Sequence, residues 1–295
     1  MKRIIVVGAG GVGAETLLLL KKANIKASIR IIDRDFVDAD TLKRQALYQK
    51  TDLGRLKAVA AARKLGPRFE DISEHLSENN AEDLLESADI VLDCTDNWAT
   101  RCVINQWALK HRKAWIFTSA IRSQTMTTTL TPNTPCFVCW NPNAATPRSC
   151  RVEGIQKQTT AMAAQTEVAE LQALLAGRPR LAGKLQFTDV CNKTCTTLPL
   201  AKNPACPACV KKTFRLPEQK AVTLCGDGEY LFQLDGDVDF KALASLRAKK
   251  FGDVMKIRWK KGELVVFESG RILARAMSQS QAKAAVETIR QKMQA

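Results

Sequence analysis

Histidine and tyrosine are almost missing from this chain: there are two of each in 295 residues, and aromatics make up only 6%. His75 and His111 fall in or beside ordinary elements, so there is no His–Asp pair of the kind a hydride-transfer site uses. Long apolar runs are absent too. None approaches the ~20 residues that a helical membrane span requires, so no membrane partner is expected. The start has no secretory leader: Lys2 and Arg3 are followed by Ile4 to Val7 and then by Gly8, which is too short an apolar core. The expected location is the cytoplasm. There is no internal repeat, no low-complexity tract, no long basic block and no aromatic-rich segment suited to stacking bases. Those absences matter because the formal net charge is +15, from 45 Lys and Arg against 30 Asp and Glu. With cations spread along the whole chain, the charge points to an acidic protein partner and not to nucleic acid.

Cysteine, by contrast, is plentiful, with ten residues. Four of them form two Cys-x-x-Cys pairs, Cys136 with Cys139 and Cys206 with Cys209, separated by 66 residues. In a reducing compartment this pattern means metal or redox chemistry before disulfides. Four thiolates suit tetrahedral zinc at ~2.3 Å per bond, in a closed structural site that pins late strands to the core. Redox-active dithiols are the alternative, but neither pair reads as opening a helix in the thioredoxin manner. Cys94, Cys102 and Cys225 read as small buried residues, and Cys191 and Cys195 as strand residues.

Short apolar strands alternate with helical patterns along the first third. Strands are expected at Arg3–Val7, Ala27–Asp33, Arg68–His75, Ile90–Asp93 and Ala114–Ser119. Helices are expected at Ala14–Ala23, Arg55–Leu65, Ala81–Glu86 and Ala99–His111. The alternation predicts an α/β fold: a Rossmann-like, mostly parallel sheet with helices on both faces, binding ligands at the carboxyl ends of its strands. Later come a threonine-rich strand, "TMTTTLTP", and a loop over Pro132–Cys150. A helix over Thr159–Ala176 and strands at Leu185–Asp189 and Cys195–Leu200 follow. A Pro-bearing linker, Lys211–Lys220, leads into a small α+β unit. That unit has a hairpin around "LCGDGEYLFQL", a helix at Phe240–Lys250, three strands and a closing helix at Gln279–Met293. The domains are expected at 1–212 and 220–295.

The opening run, "MKRIIVVGAGGVGAETLLLL", places Gly8, Gly10, Gly11 and Gly13 between a strand and a helix. Glycines there permit a tight turn and let phosphate approach backbone amides at a helix N-terminus. Asp33 ends the next strand 20 residues after Gly13, a distance suited to ribose hydroxyls. These features alone fit NAD. Arg44 and Lys57 argue otherwise, because an enzyme that breaks a phosphoanhydride needs such cations where charge builds on phosphoryl oxygens. "VLDCTDN" then sets Asp96 and Asn97 just past a strand's carboxyl end, where a carboxylate can hold Mg²⁺ or cap a helix.

With these residues the chain resembles the ThiF/MoeB/HesA family, bacterial relatives of ubiquitin-activating enzymes, over about Met1 to Lys211. The carriers are "GAGGVG", the "D…LKRQALY…DLGRLKA" stretch, "VLDCTDN", "SAIR" and the paired knuckles. The resemblance implies ATP-dependent adenylation of the C-terminal glycine of a ubiquitin-like sulfur carrier of ThiS or MoaD type, for thiamine, molybdopterin or related biosynthesis. It puts Asp33 on the ribose, Asp35 and Thr41 in the nucleotide site, Arg44 and Lys57 on phosphates, Asp96 on Mg²⁺ and Asn97 beside the nucleotide. It gives Cys150, a loop thiol flanked by Arg148 and Arg151, a role in sulfur transfer, and it implies a homodimer. Three departures stand out. The sequence opens on the strand without the family's Arg-Gln arm, Thr41 replaces the usual Asn, and Thr125-Met126 replaces Gly-Gln. They motivate a second reading, a nucleotide-binding scaffold with weakened chemistry; an NAD-linked oxidoreductase is a third.

Overall fold

The computed structural model describes all residues except 143–155, 217–221, 224–228, 235, 261 and 295. They divide into two units. The first comprises Met1–Asp35, Ala39–Gln49 and Leu56–Leu216.

Elements of the first unit follow in chain order. They are β1 (Lys2–Val7), α1 (Gly11–Lys22), β2 (Ala27–Ile32), α2 (Ala39–Arg44), α3 (Lys57–Leu65), β3 (Phe69–Ile72), α4 (Ala81–Leu85), β4 (Ile90–Asp93) and α5 (Trp98–His111). Then come β5 (Ala114–Ile121), β6 (Gln124–Leu130), α6 (Phe137–Trp140), α7 (Lys157–Leu175), β7 (Lys184–Asp189) and β8 (Thr194–Pro199). The strands form one sheet in the order β3-β2-β1-β4-β5-β6-β7-β8. From β3 to β5 the neighbours are parallel, with Ile4 opposite both Ile29 and Ile90. From β5 to β8 they are antiparallel. The central parallel strands are mostly apolar because helices cover both faces: all four residues of β4 are buried, whereas the edge strand β3 exposes Glu70 and Asp71.

Chain order reverses between β1 and β4, so the connections leaving these strands diverge and open a crevice at their carboxyl ends. The glycine loop leaves β1 there, and the Cys94–Asn97 turn leaves β4. α7 packs along α1 and over β5 and β6. Helix α2 is unforeseen, since its charged residues carry no apolar stripe. The expected helix at Arg55 begins at Lys57, because Leu56 is extended.

The second unit comprises Phe36–Asp38, Lys50–Arg55 and Pro217–Ala295. Its described strands are β9 (Val222–Thr223), β10 (Tyr230–Gln233), β11 (Lys249–Phe251), β12 (Val254–Trp259), β13 (Gly262–Phe267) and β14 (Arg271–Arg275), followed by α8 (Gln279–Gln294). They form an antiparallel sheet, β11-β12-β13-β14-β10-β9. Ile257, Leu264, Val266 and Ile272 of the sheet share a core with Ala282, Ala285 and Ile289 of α8. The helix expected at Phe240–Lys250 is instead a 3₁₀ run, Phe240–Leu246, followed by β11. Arg247 takes a left-handed φ of 53°, which stops the helix. Lys249–Phe251 then pair with β12 across Gly252, whose φ of 60° suits a tight turn.

Candidate functional site

The glycine loop is held from both sides. Ala9 donates its N–H to Asp33 Oδ2 at 2.6 Å, and its carbonyl accepts from the Tyr48 hydroxyl at 2.8 Å. Asp33 Oδ1 accepts from the Asp35 N–H at 2.7 Å. A carboxylate has about four acceptor positions, so Asp33 can still take a ribose hydroxyl. Burial raises its carboxyl above the usual range, against the opposing pull of Lys57. Three of the glycines have different tasks. Gly8 sits at φ 95° and a Cβ there would lie 2.9 Å from the Cys94 carbonyl oxygen. Nothing lies within 4 Å of a Cβ on Gly10, which faces the cleft. Gly13 stands one layer back: its Cβ would lie 1.9 Å from the Gly8 carbonyl oxygen, so it serves the packing of α1 onto the loop.

All the other nucleotide residues read from the sequence line one cleft over the carboxyl edge: Gly8, Gly10, Gly11, Asp33, Asp35, Thr41, Arg44, Lys57, Asp96 and Asn97. Lys57, 7% exposed, reaches Asp35 Oδ2 at 3.3 Å. Arg44 is exposed and caps its own helix through the Asp40 carbonyl at 3.4 Å. On the β4 side, Asn97 is the cap of α5, its side chain accepting from the Thr100 N–H at 3.0 Å. Asp96 is exposed at the cleft. Cap and carboxylate are therefore two residues, where the sequence left both tasks open to Asp96. One exposed carboxylate fits Mg²⁺, which takes one or two protein carboxylates and completes its shell with water and phosphate oxygens. Cys150 lies outside the described residues, as does Cys225.

Several cleft residues escaped the sequence reading. Arg101 binds Asp93 Oδ2 at 3.0 Å and the carbonyls of Thr95 and Thr118, and its guanidinium lies 4.6 Å over the Phe117 ring. It ties the turn after β4 to β5. Its place, one helical turn after Asn97, is the only sequence signal. Burial pushes the Asp93 carboxyl up despite this pairing. Gln45 is 8% exposed, and its Oε1 has no partner among the described residues. His75 lines the cleft, with Arg34 Nη1 3.0 Å from its Nδ1. Lys157, the first residue of α7, lines it as well. Behind the loop, the fully buried Glu167 accepts from Thr16 Oγ1 at 2.6 Å and from Cys94 Sγ at 3.2 Å.

The paired cysteines converge. Cys136, Cys139, Cys206 and Cys209 offer four sulfurs within 4.8 Å of one another. Cys136 Sγ is 3.7 Å from both Cys139 Sγ and Cys206 Sγ, and Cys139 Sγ is 3.5 Å from Cys209 Sγ. A tetrahedron with ~2.3 Å metal–sulfur bonds has edges of about 3.8 Å, so the donor set fits zinc. One expectation needs correcting, because Cys136 does open a helix as the N-cap of α6. That helix is a single turn, and two further sulfurs stand beside it, so the group is a four-thiol cluster. Trp115, Phe117, Phe137 and Trp140 pack edge to face around α6. Cys191 lies in the exposed turn before β8, not in a strand.

Comparison with known proteins bears on this geometry. The ThiF family model matches residues 1–208. The SAMP-activating enzyme E1 of Haloferax volcanii is 30% identical over 218 residues, covering 70% of this chain and 80% of that protein. The sulfur carrier protein ThiS adenylyltransferase of Bacillus subtilis is 28% identical over 296 residues, covering 92% and 87%. Among solved structures, E. coli MccB with ATP superposes with a TM-score of 0.61 at 18% identity, covering 70% of this chain and 67% of that one. This likeness establishes the shared fold.

Proposed function

The chain belongs to the ThiF family, and from that premise we propose that it adenylates the C-terminal glycine of a ubiquitin-like sulfur carrier with ATP. One observation carries the reading. A single cleft gathers a glycine loop at a helix N-terminus, a ribose-distance acid, two cations and an exposed carboxylate. A dinucleotide site explains the first two features. Only a phosphoryl-transfer site explains Arg44, Lys57 and Asp96 as well.

The roles follow from position. The glycine-loop amides and α1 N-terminus take the α-phosphate. Asp33 takes the ribose, with Asp35 and Thr41 beside it. Arg44 and Lys57, on the β2 flank, take the β- and γ-phosphates. Asp96 would hold Mg²⁺, which when bound neutralises phosphoryl oxygens. Asn97 fixes the start of α5 beside the nucleotide. A carboxylate oxygen of the carrier attacks the α-phosphorus, the bond to the bridging oxygen breaks, and pyrophosphate leaves with that electron pair. Residues 1–212 carry this chemistry, and 220–295 form a separate small domain. Zinc in the Cys136/Cys139/Cys206/Cys209 cluster serves structure alone, because four thiolates leave no open position. Cys150 is assigned to sulfur transfer on sequence resemblance. The +15 charge suits an acidic carrier. A cytoplasmic homodimer serving thiamine, molybdopterin or related synthesis completes the proposal.

Carrier-dependent ATP–pyrophosphate exchange tests it. The wild type should exchange with one Gly-Gly-ending carrier of its own genome. Asp96→Ala should lower the rate by about 10²-fold or more, the scale of removing one electrostatic stabiliser. ATP binding with no exchange for any carrier would favour the scaffold reading.

A further inference from the structure

The second unit incorporates two short stretches, Phe36–Asp38 and Lys50–Arg55, from the connection between β2 and α3. Both run directly into cleft residues. Phe36 follows Asp35, Arg55 stands two residues before Lys57, and the stretch they enclose, Ala39–Gln49, carries Thr41, Arg44 and Gln45. Helix α2 buries only Thr41 of its six residues, so its setting depends on what holds its ends. Tyr48 ties the far end to the Ala9 carbonyl. The near end and the return stretch are held inside the second unit. Phe36, 1% exposed, meets Phe251 and Phe267 edge to face, each with ring centroids 6.2 Å apart. The Lys256 ammonium and the Arg275 guanidinium lie 5.3 and 5.1 Å from its ring, and Arg275 Nη1 stands 3.6 Å from Asp38 Oδ2. Val37 donates its N–H to the Arg55 carbonyl and accepts from the Gly54 N–H, both at 2.8 Å. The Gly54 carbonyl accepts in turn from the Asp253 N–H at 2.9 Å. That last approach needs two glycines: a Cβ on Gly54 would lie 2.4 Å from the Phe251 carbonyl oxygen, and one on Gly252 would lie 2.4 Å from the Gly54 carbonyl carbon.

We propose that this mount, made by Phe36 and the Gly54–Gly252 approach, positions Arg44 and Lys57 for the β- and γ-phosphates, so that the small unit sets the cleft's preference for a triphosphate over a monophosphate. The inference rests on the adenylation reading and gives the second unit a part in it. Phe36 does not line the cleft, so it is a positioning residue. Asp33 and the glycine loop are fixed by the parallel sheet and by each other, and the ribose and α-phosphate keep those anchors without the mount. Arg44 and Lys57 are different. They stand at the two ends of a connection that leaves the sheet and returns to it, and a phosphate contact made from unfixed backbone carries an ordering cost. Closing the connection at its base removes conformations that the nucleotide would otherwise have to freeze. The two cations facing the Phe36 ring add an attraction that an aliphatic side chain of similar bulk cannot supply.

The test titrates the full-length protein with ATP and with AMP by calorimetry, in buffer containing Mg²⁺. The wild type should bind ATP more tightly than AMP. Gly252→Ala drives a Cβ into Gly54. It should weaken ATP by about tenfold or more, the scale of one charge-assisted contact, and leave AMP within about twofold. Phe36→Leu is milder and should shift ATP in the same direction; it is the variant to read if Gly252→Ala does not fold, with the melting temperature as the control. Ile289→Ala weakens the α8 core, of which Phe36 is not a member, and should keep the wild-type ratio of affinities below its own melting temperature. The inference is overturned if the folded mount variants keep the wild-type ratio, if their ATP and AMP affinities fall together, or if Ile289→Ala loses the preference as well. A wild type without preference for ATP would instead overturn the phosphate roles of Arg44 and Lys57, and with them the adenylation reading itself.

Discussion

Glu167 is the residue whose chemistry was least visible in one dimension. It sits in the middle of a helical pattern, "TEVAEL", where a glutamate ordinarily faces water. Here it is 0% exposed beneath the glycine loop, held by Thr16 and Cys94. Burial pushes its carboxyl up to about 7, with Asp93 adding to the rise. The unfolded chain releases this proton near the ordinary 4.5, whereas the folded chain keeps it until about pH 7. Folding therefore binds the proton in between, and stability falls as pH rises from about 4.5 to about 7, by up to about 3 kcal/mol. Glu167→Gln keeps the shape and cannot ionise. At pH 8 the variant should exceed the wild type in urea-unfolding free energy by about 1–3 kcal/mol, and near pH 4.5 the two should converge. Equal stabilities at both pH values would show that Glu167 does not titrate in this range.

At the scale of elements, the legible parts are those where burial on both faces leaves one periodicity. Strands β1, β2, β4 and β5 were read within a residue or two because Ile4–Val7, Ile29 with Ile31 and Ile32, and Ile90–Leu92 are densely apolar, whereas β3, expected over Arg68–His75, spans only Phe69–Ile72 and exposes Glu70 and Asp71. The glycine loop was legible as a spacing. The division of labour inside it was not, since that depends on which carbonyl lies behind each Cα. Lys157, Arg101, Gln45 and His75 were missed for a related reason: each reaches the cleft through register or helix phase, which no local pattern records. Helix α2 was missed because Thr41 is the one buried residue of its six, so it carries no apolar stripe to read. The loop geometry makes a paired prediction. Gly13→Ala forces a Cβ to 1.9 Å from a backbone carbonyl, and neither α1 nor the loop can yield without losing the clamp on Ala9. It should destabilise by more than about 3 kcal/mol or prevent soluble expression. Gly10→Ala has open space, so its melting temperature should stay within a few degrees while ATP affinity drops. Nucleotide titration beside thermal melts separates the two, and a Gly13→Ala variant as stable as wild type would refute the packing role.

At the scale of the whole molecule, the cysteine cluster is a clip between distant parts of the chain. Cys136 and Cys139 lie at α6, between β6 and α7, and Cys206 and Cys209 follow β8. The connection between them contains α7 and the antiparallel strands β7 and β8. β8 is exposed along its whole length, with Leu198 51% exposed, so the sheet itself does little to hold this end. The buried thiols Cys136 and Cys206 join the core of Trp107, Trp115, Phe117 and Phe137. Closing a loop of 66 intervening residues removes unfolded-state entropy worth about 4 kcal/mol on the scale known for covalent crosslinks. Metal–thiolate bonding adds to that figure, because the site does not exist in the unfolded chain. The purified protein should therefore carry one zinc per chain by elemental analysis. Stripping it with a strong chelator, or replacing Cys206 with Ser, should lower Tm by about 10 °C or more. ATP should still bind to the chelated protein below its new Tm, because no cysteine of the cluster lines the cleft. A chain purified without metal and melting at the same temperature before and after chelation would remove zinc from the account and leave the four thiols as core packing alone.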